Sequence, residues 1–594
     1  MRRMAKCVQA YDCRHGPVYM FGVQVPKSVK HALQLDKENG NTYWADALKK
    51  EMDQLDEHST FEDLGLGAAT PEGFHMIRVH VIFAVKHDGR RKCRCVADGH
   101  LTAPEKESAY SGVVSLRSMR IVFLVSELNG LKMMVGDIGN AYLEAITREK
   151  VCIKAGPEFG VRQGHILIIR KALYGLRTSG ARFHEKLADT FRALGFFPTY
   201  ADSDVWIKDC GTHYEYICSY VDDLAVSMLD PQKFFDELSS EPHNYKLSGV
   251  GEPLYHLGGD FGRDSDGTFT WGSKKYIEKI LDNYKRIFGD FPPKKSSPME
   301  TKDSPEIDVS AELDADGVSL YQSLIGGLQW AVTLGRFDIH CAVMSLLHFS
   351  INPREGHLER IKRVFGYLRK QPDARIRFRT GIPKNKDLFE VPRHDWMYSV
   401  YGTAEEEHGN LPPPRGKAVR LTTFVDANLM HCKVTGKSCT GILHMLNQTP
   451  IEWFSKRQNT VETATYGSEF VAARQATEQI MDIRYTLRAF GVPLDGPAWM
   501  LGDNKSVITS STIPHSQLGK RHNALSYHRV REAVSSGVLY FCKISGLQNP
   551  SDIMTKYLPY AVFWPLVQPF LFWGGETVVT PKEPKDTGSR GVTN

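Results

Sequence analysis

Two apolar stretches run into aspartates. Leu131 to Val135 leads through Gly136 into Asp137, and Tyr214 to Tyr220 turns through Val221-Asp222-Asp223 into Leu224 to Met228. Both have an apolar strand pattern, which sets all three acids at strand tips. Between Val79 and Gly99 two further strand-like runs flank His87-Asp88-Gly89-Arg90. Asp-Gly is a strong hairpin signal, so this segment predicts a two-stranded ribbon. Lys92 and Arg94 are two apart and share one face of it.

The pattern changes after residue 416. It predicts strands ending at Asp426, at Cys439 to Leu446 and at Pro450 to Ser455, then a helix through Glu469 toward Phe490 with apolar Phe470, Ile480, Ile483 and Leu487, ended by Gly491 and Pro493. A short strand at Trp499 to Leu501, a helix opened by Asp503, a polar helix across Ser526 to Val534, a strand at Val538 to Ile544 and a helix with Asp552 follow. A three-stranded meander followed by alternating helices and strands fits an RNase H fold.

A chain of 594 residues implies several domains, and 42% hydrophobic with 24% charged residues is an ordinary globular balance. The net charge is only +5, so affinity for a polyanion must come from local tracks such as Lys274-Lys275, Lys294-Lys295 and Lys362-Arg363, which read equally well as solvated faces. Eleven cysteines without a Cys-x-x-Cys pair point to free thiols in a reducing compartment. No secretory signal or membrane span is visible, since the apolar tail Tyr560 to Trp573 is short and broken by Pro565 and Pro569, and that tail is expected to dock on the nuclease domain. Linker candidates are Phe291 to Pro298 and Gly402 to Gly416, the second with the acidic run Glu405-Glu406-Glu407. Asp586-Thr587-Gly588 spells a protease triplet, but its polar surroundings argue against that role.

Clustered carboxylates suit two divalent ions. Held at Asp137, Asp222 and Asp223, two magnesium ions would lower the pKa of a primer 3′-hydroxyl and neutralise incoming phosphates, the chemistry of a polymerase palm. The plainer alternative is a polar hairpin tip. Lys92 and Arg94 would reach a triphosphate together, or belong to a charged strand edge that discourages pairing. Asp426, Glu469, Asp503 and Asp552 would bridge two further ions, activate water and stabilise a leaving 3′-oxygen. Any one of these acids alone is most often a surface carboxylate or cap.

At these residues the chain resembles the reverse transcriptase and RNase H region of Pol polyproteins from copia-type LTR retrotransposons. The Tyr220-Val221-Asp222-Asp223 hairpin, the Asp137 strand, Trp44-Ala45-Asp46-Ala47 with Glu51 and Leu55, Lys92 to Gly99, and Lys171-Ala172-Leu173-Tyr174-Gly175-Leu176-Arg177 match its motifs in order. So do Tyr321 to Gly326, Arg336 to Ile339, His357 to Arg369, Ser455 to Gln458, Gly467 to Ala472, Tyr527-His528 and Ser551 to Lys556. The resemblance implies an α/β and α+β multidomain chain, a right-hand polymerase with fingers, palm and helical thumb or connection followed by an RNase H-like mixed-sheet domain. The expected boundaries are 1–40 for an N-terminal extension, 41–290 for fingers and palm, 291–400 for a thumb/connection-like helical region, 401–416 for a linker, 417–560 for the RNase H-like domain and 561–594 for a tail.

It further implies an RNA-directed DNA polymerase with linked ribonuclease H, using two Mg2+ ions per site, with Mn2+ as a substitute. The implied partners are an RNA template, RNA-DNA hybrid, DNA, a tRNA primer, deoxynucleoside triphosphates and other polyprotein products such as integrase, and no membrane. The setting it implies is cytoplasmic, in virus-like particles, with nuclear delivery of the DNA product. Tyr142 takes the place of the family's gate against the ribose 2′-hydroxyl, or else is a core aromatic. Two departures stand out: Thr178 lies where much of the family has Gln, and Lys543 to Gln548 lack the histidine that many cellular RNases H carry. The contrasting expectation is a domesticated or degenerate element that binds nucleic acid with one site active or neither.

Overall fold

The computed structural model describes residues 18–20, 22–85, 89–102, 109–385, 389–392, 394–402 and 411–572. The His87-Asp88 half of the ribbon turn, the acidic run Glu405-Glu406-Glu407, Trp573 and Asp586-Thr587-Gly588 lie outside them.

The first half joins a fingers region to a palm. Helix α1 (Tyr43–Glu57) buries Trp44, Glu51 and Leu55 against the ribbon of β1 (Val79–Val85) and β2 (Arg91–Ala97), whose antiparallel register pairs Ile82 with Arg94. Cys93, Cys95 and Ala97 point inward along β2 while Lys92 and Arg94 take the other face. The strand period of two sorts them this way. Helix α2 (Leu116–Asn129) is buried from Ser118 through Ser126, as a helix that is apolar nearly all round must be. It leads into β3 (Lys132–Ile138). After α3 (Ser179–Ala193) come β4 (Phe197–Pro198), β5 (Val205–Asp209), β6 (Tyr214–Tyr220), β7 (Asp223–Met228) and β8 (Leu247–Gly251), in a sheet ordered β4-β5-β6-β7-β3-β8. The two aspartate strands, β3 and β7, are thus neighbours.

A second sheet follows, from β9 (Tyr255–His256), β10 (Gly259–Arg263), β11 (Phe269–Gly272) and β12 (Arg375–Arg377). Helices α4 (Lys274–Phe288), α5 (Ala315–Thr333), α6 (His340–Leu347) and α7 (Glu355–Lys370) lie between β11 and β12 in the chain, so one sheet takes strands from both sides of residue 291. The Pro-rich stretch after Phe291 is fastened to α7: the Lys295 N–H donates to Gly366 O at 3.1 Å and Arg369 to Pro292 O at 2.9 Å.

The last sheet is built from β13 (Leu421–Asn428), β14 (Cys439–Leu446), β15 (Thr449–Arg457), β16 (Ala498–Gly502) and β17 (Leu539–Lys543), ordered β15-β14-β13-β16-β17. The meander is antiparallel, and β16 and β17 run parallel to β13. Helices α8 (Thr465–Ala489), α9 (Lys505–Thr512) and α10 (Ala524–Ser535) complete the RNase H-like unit. Two expectations need correction. Asp552 sits on a 3-10 turn, Pro550–Met554, rather than on a full helix. The apolar tail is one helix, α11 (Tyr560–Leu571), despite Pro565 and Pro569, and it packs on β12 as well as on the Asp552 turn.

Palm, connecting sheet and the last sheet share one apolar core. Tyr216 donates to Phe490 O at 3.0 Å, and the Trp453 indole to Val332 O at 3.1 Å. Arg120 lies at their meeting point. Its guanidinium donates to Ile451 O at 3.0 Å and to Thr333 O and rests 4.3 Å from the Trp453 ring and 5.1 Å from the Trp271 ring. Burial pulls its pKa down to about 9. Arg120→Ala should destabilise the chain by about 2–4 kcal/mol, since it strands two carbonyls and opens a cavity between two tryptophans. Chemical denaturation of both proteins checks this; a loss below about 0.5 kcal/mol, typical of surface sites, would refute the assignment.

Candidate active sites

In the palm, Asp223 opens β7 directly opposite Asp137 on β3, and Asp222 occupies the two-residue turn between β6 and β7. Asp137 lies one residue inside its strand rather than past its tip. The turn is strained, because Val221 has φ 59°, a region that β-branched residues avoid and that favours glycine in hairpins. Asp222 O accepts the Ile138 N–H at 2.9 Å, tying the turn to the Asp137 strand. Ser248 donates to Asp137 Oδ2 at 2.9 Å. Burial pushes the Asp223 carboxyl up to about 6, with Asp222 and Asp137 adding to it. Asp222 is raised by burial and Asp137, against the pull of Arg94 and Lys92.

Arg94 and Lys92 of the fingers ribbon bring positive charge to this turn. The Arg94 guanidinium stacks 4.8 Å from the Tyr174 ring, and that ring lies 5.1 Å from Tyr142, in the one-turn helix Ala141–Glu144. Burial, then the nearby Asp222, raises the Tyr142 hydroxyl. Arg94, Tyr174 and Tyr142 therefore form one continuous wall, within reach of the Asp222 charge. Tyr174 was visible in the sequence only as part of a motif, with no role attached. Its position depends on close backbone packing: the Ala97 N–H donates to Tyr174 O at 2.7 Å, and a Cβ at Gly175, where φ is 92°, would meet Ala97 O at 2.1 Å. Thr178 is buried. Its hydroxyl and N–H both donate to Glu149 Oε1, at 2.7 and 3.0 Å, so the departure at this position serves the start of α3.

The second cluster lies on the last sheet. Asp426 is near the end of β13, Glu469 in the first turns of α8, and Asp503 just past β16. Their donor oxygens lie within 4.8 Å of one another, which fits a hard divalent ion bound by carboxylates. The palm acids do not form so tight a set. Asp552 joins this group through Lys556, whose ammonium donates to Asp552 Oδ1 at 2.8 Å and Asp426 Oδ1 at 3.1 Å. Thr555 donates to Asp426 Oδ2. Lys556 is a member that sequence reasoning did not single out; its i, i+4 spacing from Asp552 is the signal that could have found it. Gly441, opposite Asp426 in the register, makes room for the Asp552 turn, because a Cβ there would meet Ser551 O at 2.8 Å.

Burial and the neighbouring Asp426 push Glu469 far above the carboxylate range, and Asp503 upward. Asp552 rises to about 7 from burial and Asp426, while Lys556 restrains it. Lys556 is itself raised: burial opposes its charge, but Asp426 and Asp552 outweigh it.

Residues 68–291 match the family described as reverse transcriptase (RNA-dependent DNA polymerase). The chain is 25% identical over 533 residues to the retrovirus-related Pol polyprotein from transposon RE1 of Arabidopsis thaliana, covering 88% of this chain and 33% of that protein. It is 23% identical over 553 residues to the counterpart from transposon TNT 1-94 of Nicotiana tabacum, covering 90% of this chain and 38% of that protein. The chain thus spans about a third of the length of the curated relatives it matches. A solved foamy viral protease-reverse transcriptase in complex with RNA/DNA hybrid overlaps 87% of this chain and 64% of its own, at 13% identity and TM-score 0.41.

Raised carboxyls make stability pH-dependent. Between the ordinary value of 3.8 and about 7 for Asp552, or about 6 for Asp223, the folded state keeps protons that the unfolded chain releases, so stability present at low pH is lost as pH rises through that window. In metal-free buffer the melting temperature should fall between about pH 5 and pH 7.5. Asp552→Asn should flatten the fall, and magnesium should restore stability only at the neutral end. A melting temperature that climbs with pH across this window would contradict the reading.

Proposed function

We propose that this chain, similar over most of its length to the reverse transcriptase and RNase H region of copia-type Pol polyproteins, extends a DNA primer on an RNA template and cleaves the RNA of the resulting hybrid. The observation that carries this is the presence of two separate carboxylate clusters, one facing a cationic ribbon in a segment matched to the reverse transcriptase family and one on an RNase H-like sheet. Asp137, Asp222 and Asp223 would hold magnesium, or manganese, in the palm, and Asp426, Glu469, Asp503 and Asp552 would hold it in the nuclease. Bound there, the ions would lower the pKa of the attacking hydroxyl or water and offset phosphate charge.

The chain's own residues supply the rest. Lys92 and Arg94 hold the triphosphate, with Arg94 aimed by its stacking on Tyr174. Tyr142, braced by the Tyr174 and Phe183 rings, would meet a ribose 2′-hydroxyl and so favour deoxynucleotides. In the nuclease, Lys556 balances the charge of Asp426 and Asp552 and keeps the two acids aligned. The hybrid's RNA strand would be recognised through its 2′-hydroxyls and groove shape. A tRNA primer, an integrase partner and action within cytoplasmic virus-like particles before nuclear delivery of the DNA belong to the same proposal, on the resemblance alone.

Primer extension on RNA, with deoxynucleotides and magnesium, tests the polymerase. Asp222→Asn should lower extension by about 10²–10³-fold and leave hybrid cleavage intact, and Asp426→Asn should do the reverse. Well-folded wild type with neither activity would sink the proposal. Tyr142→Ala should let ribonucleotides be incorporated; unchanged sugar selectivity would remove the gate from Tyr142.

A further inference from the structure

At the end of β6 opposite the Asp222 turn, the sheet carries a second kind of donor cluster. Strands β5 and β6 pair Asp209 with Tyr214 and Lys208 with Glu215, and the Cys210 N–H closes the hairpin on His213 O at 3.0 Å. Alternation then sets Cys210, His213 and Glu215 on one face and Asp209 and Tyr214 on the other. A Cys210 sulfur, a His213 ring nitrogen and a Glu215 carboxylate oxygen lie within 4.8 Å of one another. Strand β6 has seven residues, so this cluster is roughly 20 Å from the catalytic turn.

The imidazole is prepared for a ligand. Thr212 Oγ1 lies 3.0 Å from His213 Nδ1; in the tautomer whose Nδ1–H donates to that hydroxyl, the lone pair is on Nε2. That Nε2 is sheltered from solvent and has no hydrogen-bond partner, an arrangement that costs free energy unless something occupies the lone pair. Glu215 Oε1 accepts the Leu229 N–H at 3.2 Å, which fixes the carboxylate. Fixing ligands through outer hydrogen bonds is how metal sites are held in register.

We propose that Cys210, His213 and Glu215 bind one zinc ion, with water in the fourth position. A thiolate, an imidazole and a carboxylate select a borderline-soft ion over magnesium, which separates this site from both carboxylate clusters. Binding requires the Cys210 thiol to release its proton to solvent as the Zn–S bond forms. The opposite face of the hairpin supports the segment entering the nuclease: Tyr214 donates to Pro413 O at 2.9 Å, and Arg415 donates to both Asp209 oxygens at 3.2 Å. Zinc would stiffen the hairpin that holds this segment.

Cobalt(II) titration of the full chain tests the site, because a thiolate-to-cobalt charge-transfer band needs a cysteine ligand and the carboxylate clusters cannot produce one. Among the described cysteines only Cys210 is exposed. The expected result is a saturable band in wild type and Asp426→Asn, displaced by stoichiometric zinc and lost in both Cys210→Ser and His213→Ala. Both variants should melt with wild type in metal-free buffer, and zinc should raise the melting temperature of wild type well beyond theirs. No band in wild type, or a band that survives either substitution, would overturn the proposal.

Discussion

Crowding carboxylates into partly dry pockets is the constraint on which both halves are built. Such groups repel one another and lose hydration, and the folded chain meets that cost by protonation or by a cation. The upward push on Asp223, Glu469 and Asp552 is the visible effect. What holds the acids despite it is rigid backbone: paired strands under Asp137 and Asp223, and a sheet under Asp426 across which the Asp552 turn is laid. Lys556 shows a local answer, a cation of the chain's own placed between two acids.

The second organising contact is Arg120. A guanidinium buried without a directly bonded carboxylate is unusual, and here its two terminal nitrogens donate to two carbonyls from different parts of the chain while the group lies against two indole faces and its Nε is left without a partner. Ile451 and Trp453 belong to strand β15 of the last sheet, Thr333 ends α5, and Trp271 lies in the connecting sheet. This side chain therefore ties together three regions that sequence order keeps far apart.

Much of this could be read from the chain. The meander Cys439–Leu446 and its neighbours and the ribbon face shared by Lys92 and Arg94 followed from period and spacing, and the convergence of Asp426, Glu469 and Asp503 from the family resemblance. Illegible were features decided by partners remote in sequence. Thr178 gave no sign that Glu149 would engage both its polar groups. The prolines of α11 suggested a broken tail because its packing against β12 cannot be read from local pattern. Pro550 and the fit of Gly441 beneath the turn favour a tight 3-10 arrangement around Asp552, where periodicity suggests an ordinary helix.

The continuous core from α2 through the connecting sheet to β15 has a geometric consequence. Two centres carried on one packed body keep a constant spacing, whereas centres joined by a tether would sample many. If the chain acts as proposed above, a nucleic acid threaded past both would meet that spacing as a ruler: the position of strand scission would trail the growing end by a fixed number of base pairs, set by protein packing and indifferent to sequence.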